Sequence, residues 1–166
     1  MTYAIVYSSR TGNTRLLAEK VREVLPDCVY FGNPSPEALK ADRIYVGFWT
    51  DKGRCDADTA AFLKTVTHQE IFLFGTAGFG GEQDYYDKIL KRTTRCMGGD
   101  VRLVGSFLCQ GKMPMAVRER YEKMLGKPIH IPNLRGMIEN FDRALSHPDA
   151  EDLEKLQAAV AVPGSV

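Results

Sequence analysis

The sequence predicts an α/β protein with an open parallel sheet of five strands and helices on both faces. Three observations predict it. Short apolar runs alternate with segments of helical period along the chain. The runs are rich in β-branched and aromatic residues and mostly continuous, as strands covered on both faces read. The chain has 166 residues, 44% hydrophobic and 26% charged, enough to bury one core. No repeat, low-complexity tract or linker divides it, so residues 1–166 read as one domain.

The strands come in order. Tyr3–Tyr7 is the first and Cys28–Phe31 a shorter second. Arg43–Trp49 is the third, Glu70–Phe74 the fourth and Val101–Cys109 the fifth. Between them, Leu16, Leu17, Val21, Val24 and Leu25 share a helical face that Pro26 stops. Phe62, Leu63 and Val66 mark a second helix, and Tyr85, Tyr86, Ile89, Leu90 and Met97 a third. Asp84 and Asp87 open that third helix and Lys91, Arg92 and Arg95 close it, as the helix dipole favours. Val117, Tyr121, Met124 and Leu125 suggest a fourth helix ending at Gly126. The core therefore reads as residues 3–125. The remainder, 126–166, reads as a helical appendage packed on the sheet: an irregular Gly126–Asn133, a helix with Leu134, Met137, Ile138, Phe141 and Leu145, then a weak helix over Asp149–Val162 with Pro163-Gly164 frayed.

Charge excludes some functions. There are 22 basic and 21 acidic residues, a formal net charge of +1, so no overall field favours a nucleic-acid partner. No apolar run is long enough to span a bilayer, and the N-terminus lacks a signal-peptide pattern, so a cytoplasmic location is expected. Cys28, Cys55, Cys96 and Cys109 form no CxxC and read as free thiols. His68, His130 and His147 show no metal-ligand spacing, so no metal is expected.

The first strand runs straight into Ser8-Ser9-Arg10-Thr11-Gly12-Asn13-Thr14 and a helix. Ligands of open α/β sheets sit outside the carboxyl ends of strands. A helix N-terminus there favours an anion, and Ser9, Thr11, Asn13 and Thr14 add short polar side chains. Gly12 permits a tight bend. No Lys stands at the Walker position, and the mostly neutral donors suit a phosphomonoester better than a triphosphate. Ser9-Arg10-Thr11-Gly12-Asn13-Thr14 resembles the phosphate loop of flavodoxins. That resemblance implies flavin mononucleotide (FMN) as cofactor and a flavodoxin-like strand order of 2-1-3-4-5.

Two further segments fit a flavin. Gly47-Phe48-Trp49-Thr50-Asp51-Lys52-Gly53 ends the third strand and carries the only tryptophan, a ring suited to stacking on an isoalloxazine. Gly75-Thr76-Ala77-Gly78-Phe79-Gly80-Gly81 ends the fourth and offers small residues to a planar edge, with Phe79, Tyr85 and Tyr86 as candidates for a second wall. It is not a dinucleotide fingerprint, because Gln83 stands where the last glycine belongs. With Leu108-Cys109-Gln110-Gly111-Lys112, these motifs are similar to a bacterial subgroup of flavodoxin-like domains.

The cofactor-binding residues expected are thus Ser9, Arg10, Thr11, Gly12, Asn13, Thr14, Phe48, Trp49, Thr50, Asp51, Lys52, Gly53, Thr76, Ala77, Gly78, Phe79 and Tyr85. No acid–base set stands out around them, so no catalytic residue is named. The resemblance implies an electron carrier serving a partner reductase that holds a flavin or an iron–sulfur cluster. The alternative is an FMN-dependent oxidoreductase with its own quinone or tetrapyrrole substrate, as in flavodoxin-type protoporphyrinogen oxidases. A flavin-free interaction module ranks last. Flavodoxins are usually strongly acidic, whereas here Arg10, Asp51, Lys52, Arg54, Asp56, Asp58, Glu82 and Asp84 mix signs near the site. A nearly neutral local field and a less negative potential are expected. Gly53 is expected to let the Lys52–Gly53 peptide turn its carbonyl toward a protonated flavin nitrogen.

Overall fold

A computed structural model of the chain describes residues 1–80 and 82–161. Gly81 and the expected chain end at Val162, Pro163 and Gly164 lie outside the described residues. The elements run β1 (Tyr3–Tyr7), α1 (Asn13–Val24), β2 (Tyr30–Gly32), a 3-10 turn (Pro36–Lys40), β3 (Arg43–Asp51), β4 (Arg54–Cys55), α2 (Ala57–Leu63), β5 (Glu70–Ala77), α3 (Gln83–Thr94), β6 (Arg102–Gln110), α4 (Met115–Leu125), α5 (Leu134–Ala144) and α6 (Ala150–Ala161).

The five long-range strands pair in parallel in the order β2-β1-β3-β5-β6. Leaving aside the small β4, this is the expected order. Side chains alternate between two cores, as a period of two requires. Ala4, Val6, Ile44, Val46, Phe48, Ile71 and Leu73 meet α2, α3 and the 3-10 turn on one face. Ile5, Tyr45, Phe72 and Phe74 meet α1 and α6 on the other.

Three stretches differ from the sequence reading. First, β3 does not stop at Trp49. It runs to Asp51 and folds back, with Thr50 opposite Cys55 and Asp51 opposite Arg54. Lys52 and Gly53 join the two at φ 53° and 83°, a two-residue turn of the mirror-image kind that matches strand twist. Second, β5 runs through Gly75-Thr76-Ala77. Gly75 crosses Phe48 so closely that a Cβ would stand 2.8 Å from the Phe48 carbonyl oxygen. Third, the tail is not all appendage. α6 lies beside α1, and its Leu156 and Val160 are buried with Leu17, Ala18 and Val21. It completes the helical layer. Its apolar positions are mostly alanine, so its sequence read as a weak helix.

The added piece is the pair α4–α5, inserted between β6 and α6. α4 buries only Tyr121, while α5 buries Leu134, Phe141 and Ala144. Arg118 ties the two helices with a forked pair of bonds to Asp142, at 2.8 and 3.1 Å. It also meets Glu122 one turn on. No helix among the described residues is long and apolar enough to cross a membrane.

Candidate functional site

The loop after β1 is held by its own side chains. The Ser8 N–H donates to the Gly47 carbonyl at 3.0 Å, carrying the chain past the end of β3. Gly12 caps α1 at φ 89°, a conformation that glycine adopts without strain. The Ser9 hydroxyl accepts from the N–H groups of Gly12 (3.1 Å) and Arg15 (3.4 Å). The fully buried Thr14 hydroxyl donates its one proton to the Phe48 carbonyl at 3.1 Å. Asn13 donates from Nδ2 to the Lys112 carbonyl at 2.8 Å. Ser9, Asn13 and Thr14 therefore shape the loop with the side-chain groups a ligand would also use. The backbone N–H groups of Arg10, Thr11, Asn13 and Thr14 have no partner among the described residues. They sit at the positive end of α1.

Trp49 stands beside this loop. Its backbone is fixed by Asp56, which accepts from the Trp49 N–H at 3.3 Å and donates its own N–H to the Trp49 carbonyl at 3.0 Å. The same buried carboxylate caps α2 through the Thr59 N–H (3.2 Å) and hydroxyl (2.9 Å). The Arg10 guanidinium lies 5.5 Å from the Trp49 ring centroid, within cation–π range. Thr50 Oγ1 is buried without a hydrogen-bond partner, an orphan that a ligand group could satisfy.

The end of β5 is oriented from outside. The Gly78 carbonyl accepts from Gln110 Nε2 at 3.1 Å and Asn140 Nδ2 at 3.0 Å. A trans peptide is planar, so the Phe79 N–H points the opposite way. It too has no partner among the described residues.

A third side comes from beyond β6. The Gly111 N–H donates to the Ala77 carbonyl and the Lys112 N–H to the His147 carbonyl, both at 3.0 Å. A Cβ on Gly111 would stand 2.6 Å from Asn13 Nδ2 and 2.9 Å from Thr76 Cβ, so only glycine fits this junction. Met113 lies against Gly78, where a Cβ would come within 2.5 Å of its sulfur. α4 follows.

These pieces enclose a cleft of about 290 Å³ at the carboxyl ends of β1, β3 and β5. Nine expected residues line it: Arg10, Thr11, Asn13, Trp49, Thr50, Asp51, Thr76, Gly78 and Phe79. Eight do not. Ser9, Gly12 and Thr14 shape the loop, and Ala77 is buried at the strand end. Phe48 is fully buried in the core. Lys52 and Gly53 form the hairpin turn. Tyr85 packs on the α3 side of the core, where burial pushes its phenol pKa up. Gly111 and Lys112, part of the motif quoted from the end of the fifth strand, also line the cleft. Sequence reasoning missed Met113, Pro114, Val117, Arg120 and Tyr121. The apolar pair Val117 and Tyr121 was legible as a helix face, but nothing local said what it faces.

Two expectations about charge and turn geometry change. The cleft lining is more basic than the wider set of charges. The lining carries Arg10, Lys112 and Arg120 against Asp51, and none of the three cations has an ion pair among the described residues. Asp56 caps a helix and Asp58 lines another hollow. The Lys52–Gly53 peptide is also poorly placed to turn. Turning it would move Lys52 to a first-position geometry that glycine takes.

Larger hollows lie elsewhere, about 550 Å³ along the outer edge of β6 and about 540 Å³ beside the Asn33–Pro36 turn. The smaller cleft is the candidate because free N–H groups, a helix N-terminus and unpaired cations converge on it. Burial pushes the Cys55 thiol up to about 12 and raises Cys109 as well, so neither supplies a thiolate. His147, Asp149 and Asp152 bring their ligand atoms within 4.8 Å of one another. The two carboxylates cap α6, Asp152 accepting from the Asp149 N–H and Asp149 from the Asp152 N–H, both at 2.9 Å, and Asp152 also meets His147 Nδ1 at 2.7 Å.

This fold has known counterparts. The family model for the flavodoxin domain matches residues 4–161, and the chain belongs to that family. It is 44% identical to the flavodoxin-like domain-containing protein BilS of Clostridium symbiosum, over 95% of this chain and 93% of that protein. The protein of the same name in Clostridioides difficile is 29% identical, over 92% and 90%. Among solved structures, oxidised flavodoxin 2 of Bacillus cereus superposes with a TM-score of 0.58 at 17% identity, covering 97% of this chain and 98% of that one. A Lactobacillus acidophilus flavoprotein solved with FMN superposes at 0.51 and 14%, covering 65% and 93%. These two likenesses concern the fold.

Proposed function

We propose that this chain binds FMN in the cleft and carries electrons to a partner reductase. One observation carries the reading. A helix N-terminus with unpaired N–H groups, the single tryptophan and an orphaned threonine hydroxyl converge at the β1/β3 switch point of a flavodoxin-domain sheet. The N–H groups of Arg10, Thr11, Asn13 and Thr14 would hold the phosphate, with Lys112 and Arg10 as cations. Trp49 and Phe79 would flank the ring, and Thr50 Oγ1 and the Phe79 N–H would meet its polar edge. Bound there, the flavin supplies reversible uptake of one or two electrons. The residues of this chain bind it, orient it and limit its contact with water.

Reconstitution with excess FMN or FAD, gel filtration, heat release and chromatography test this. FMN recovered near one per chain is the expected result. Recovery of mainly the dinucleotide, or of no flavin, contradicts it. A second reading, an oxidoreductase with its own quinone or tetrapyrrole, draws on one observation. Val117 and Tyr121 of the inserted α4 wall the cleft. Steady turnover of a quinone by the FMN-loaded protein with a chemical reductant would favour it.

A further inference from the structure

We infer that Cys55 and Cys96 form a reversible disulfide, made by exchange with a small-molecule disulfide, that ties the β3–β4 hairpin to the end of α3. The inference stands on the two thiols and their surroundings and holds whatever the cleft binds.

Cys55 ends β4, directly opposite Thr50 of the cleft lining. Cys96 follows the last turn of α3. One residue between them holds both. The buried Thr93 hydroxyl accepts from the Cys55 N–H at 3.1 Å, and the Thr93 carbonyl accepts from the Cys96 N–H at 3.0 Å. Both cysteines pack in the same core cluster. The Cys96 thiol comes within hydrogen-bonding reach of the Cys55 thiol. Sulfurs in contact are what a disulfide needs if the backbone is not to move. Cys28 and Cys109 belong to the other core, across the sheet, so neither competes.

Exposure sets the order of events. Cys55 is 2% exposed and burial keeps its thiol protonated, whereas Cys96 is half-buried. An accessible thiol beside a buried resolving one is the arrangement of a redox-responsive pair. The Cys96 thiolate attacks a small disulfide, such as glutathione disulfide, and releases one small thiol. Cys55 then attacks the Cys96 sulfur, its proton passes to the departing thiolate, and the second small thiol leaves. Two protein thiols are oxidised and one small disulfide is reduced to two thiols. Contact between the sulfurs makes the second step intramolecular, which offsets the low acidity of Cys55.

The bond closes on a hairpin that already leans on α3. Arg92 of that helix donates to the Gly53 carbonyl at 3.3 Å, in the turn between β3 and β4. The crosslink would hold from behind the strand that carries Thr50 and Asp51, both of the cleft lining.

The test uses the full chain with Cys28→Ser, which removes the other partly exposed thiol. The reduced protein is incubated with glutathione disulfide, denatured, capped with N-ethylmaleimide and analysed by mass spectrometry. The expected product has lost two hydrogens and keeps no glutathione. It yields a crosslinked peptide pair joining Cys55 to Cys96 and carries maleimide only on Cys109. Dithiothreitol should reverse the change. Adding Cys55→Ala should stop the reaction at a glutathione adduct on Cys96, and adding Cys96→Ala should leave Cys55 unmodified. Amide exchange at Thr50, Asp51 and Cys55 should be slower in the oxidised chain than in the reduced one.

A stable glutathione adduct on Cys96 with Cys55 still present would overturn the inference. So would thiols that react only in urea, a crosslink through Cys109, or an adduct on Cys55 once Cys96 is gone. Equal exchange at Thr50, Asp51 and Cys55 in the two forms would remove the tie to the hairpin. None of these results bears on whether the cleft takes up FMN, so the two readings fail separately.

Discussion

The cleft has two walls of different construction. One is made by the loops after β1, β3 and β5. Each of its residues is within a few positions of a buried strand, and its bonds run into the core: Thr14 to Phe48, Ser8 to Gly47, Trp49 to the buried Asp56. The other is made by residues 111–121 and stands on an inserted helix pair. α4 buries one side chain, and its ties to α5 are the forked Arg118–Asp142 bridge and surface packing. The first wall inherits the rigidity of the sheet. The second belongs to the low-stability end of the molecule, with few buried apolar contacts. The difference assigns binding strength to the first wall and access to the second.

Substitutions at the junction of the walls should have the largest effect. Gly111→Ala puts a Cβ against Asn13 and Thr76 and must move one wall from the other. Overpacking of this kind costs about 1–3 kcal/mol of stability. Flavin affinity, read by titration of the apoprotein, should fall more than stability does. An unchanged affinity would show that the walls are not coupled there.

Within the first wall, Thr11 and Thr14 should separate. Thr11→Ala removes a hydroxyl from the cleft lining. A lost bond to a charged group costs about 1.5–3 kcal/mol, so binding should weaken by roughly one to two orders of magnitude. Thr14→Ala orphans the Phe48 carbonyl inside the protein, at about 1–3 kcal/mol of folding stability. Its main signature should be the denaturant midpoint. The same loss of affinity in both, with stability unchanged, would break the distinction.

Trp49→Ala should restore much of the flavin fluorescence that stacking quenches and weaken binding by about 1–3 kcal/mol. A flavin still fully quenched would place the ring against Phe79 or Tyr121 instead. Smallest is Asn140→Leu, which removes one of the two donors to the Gly78 carbonyl and the oxygen that accepts from Gln110 at 3.0 Å, leaving Gln110 as the donor to Gly78. Affinity should change by less than about tenfold, in line with one neutral bond of about 1 kcal/mol. The amide shifts of Gly78 and Phe79 should move, and shifts confined to α5 would deny the link.

The same contrast explains what was legible in the sequence. The strands, both helical layers apart from α6, and the first wall rest on short-range signals: apolar runs, Gly12 at a tight bend, Trp49 at a strand end; the strand order came only with the resemblance of the 9–14 loop to flavodoxins. The second wall does not. Val117 and Tyr121 repeat with helical period, but periodicity says that a face is buried, not against what. Lys52-Gly53 is an uncommon pair for a tight hairpin, so nothing in the sequence signalled β4. Phe48 and Tyr85 were assigned to the ligand because aromatics near a strand end suit either role. Phe48 is fully buried in the first core, and Tyr85 packs half-buried against it.

The most direct test of the two-walled site is amide hydrogen exchange with and without FMN. The account predicts slow exchange in β3 and β5 and faster exchange in α4 in the free protein. On adding FMN it predicts protection at 10–14, at 49–51 and 78–79, and also along 111–121. Protection confined to the strand-end loops would remove the second wall from the site. Protection instead along the outer edge of β6 would contradict the placement altogether.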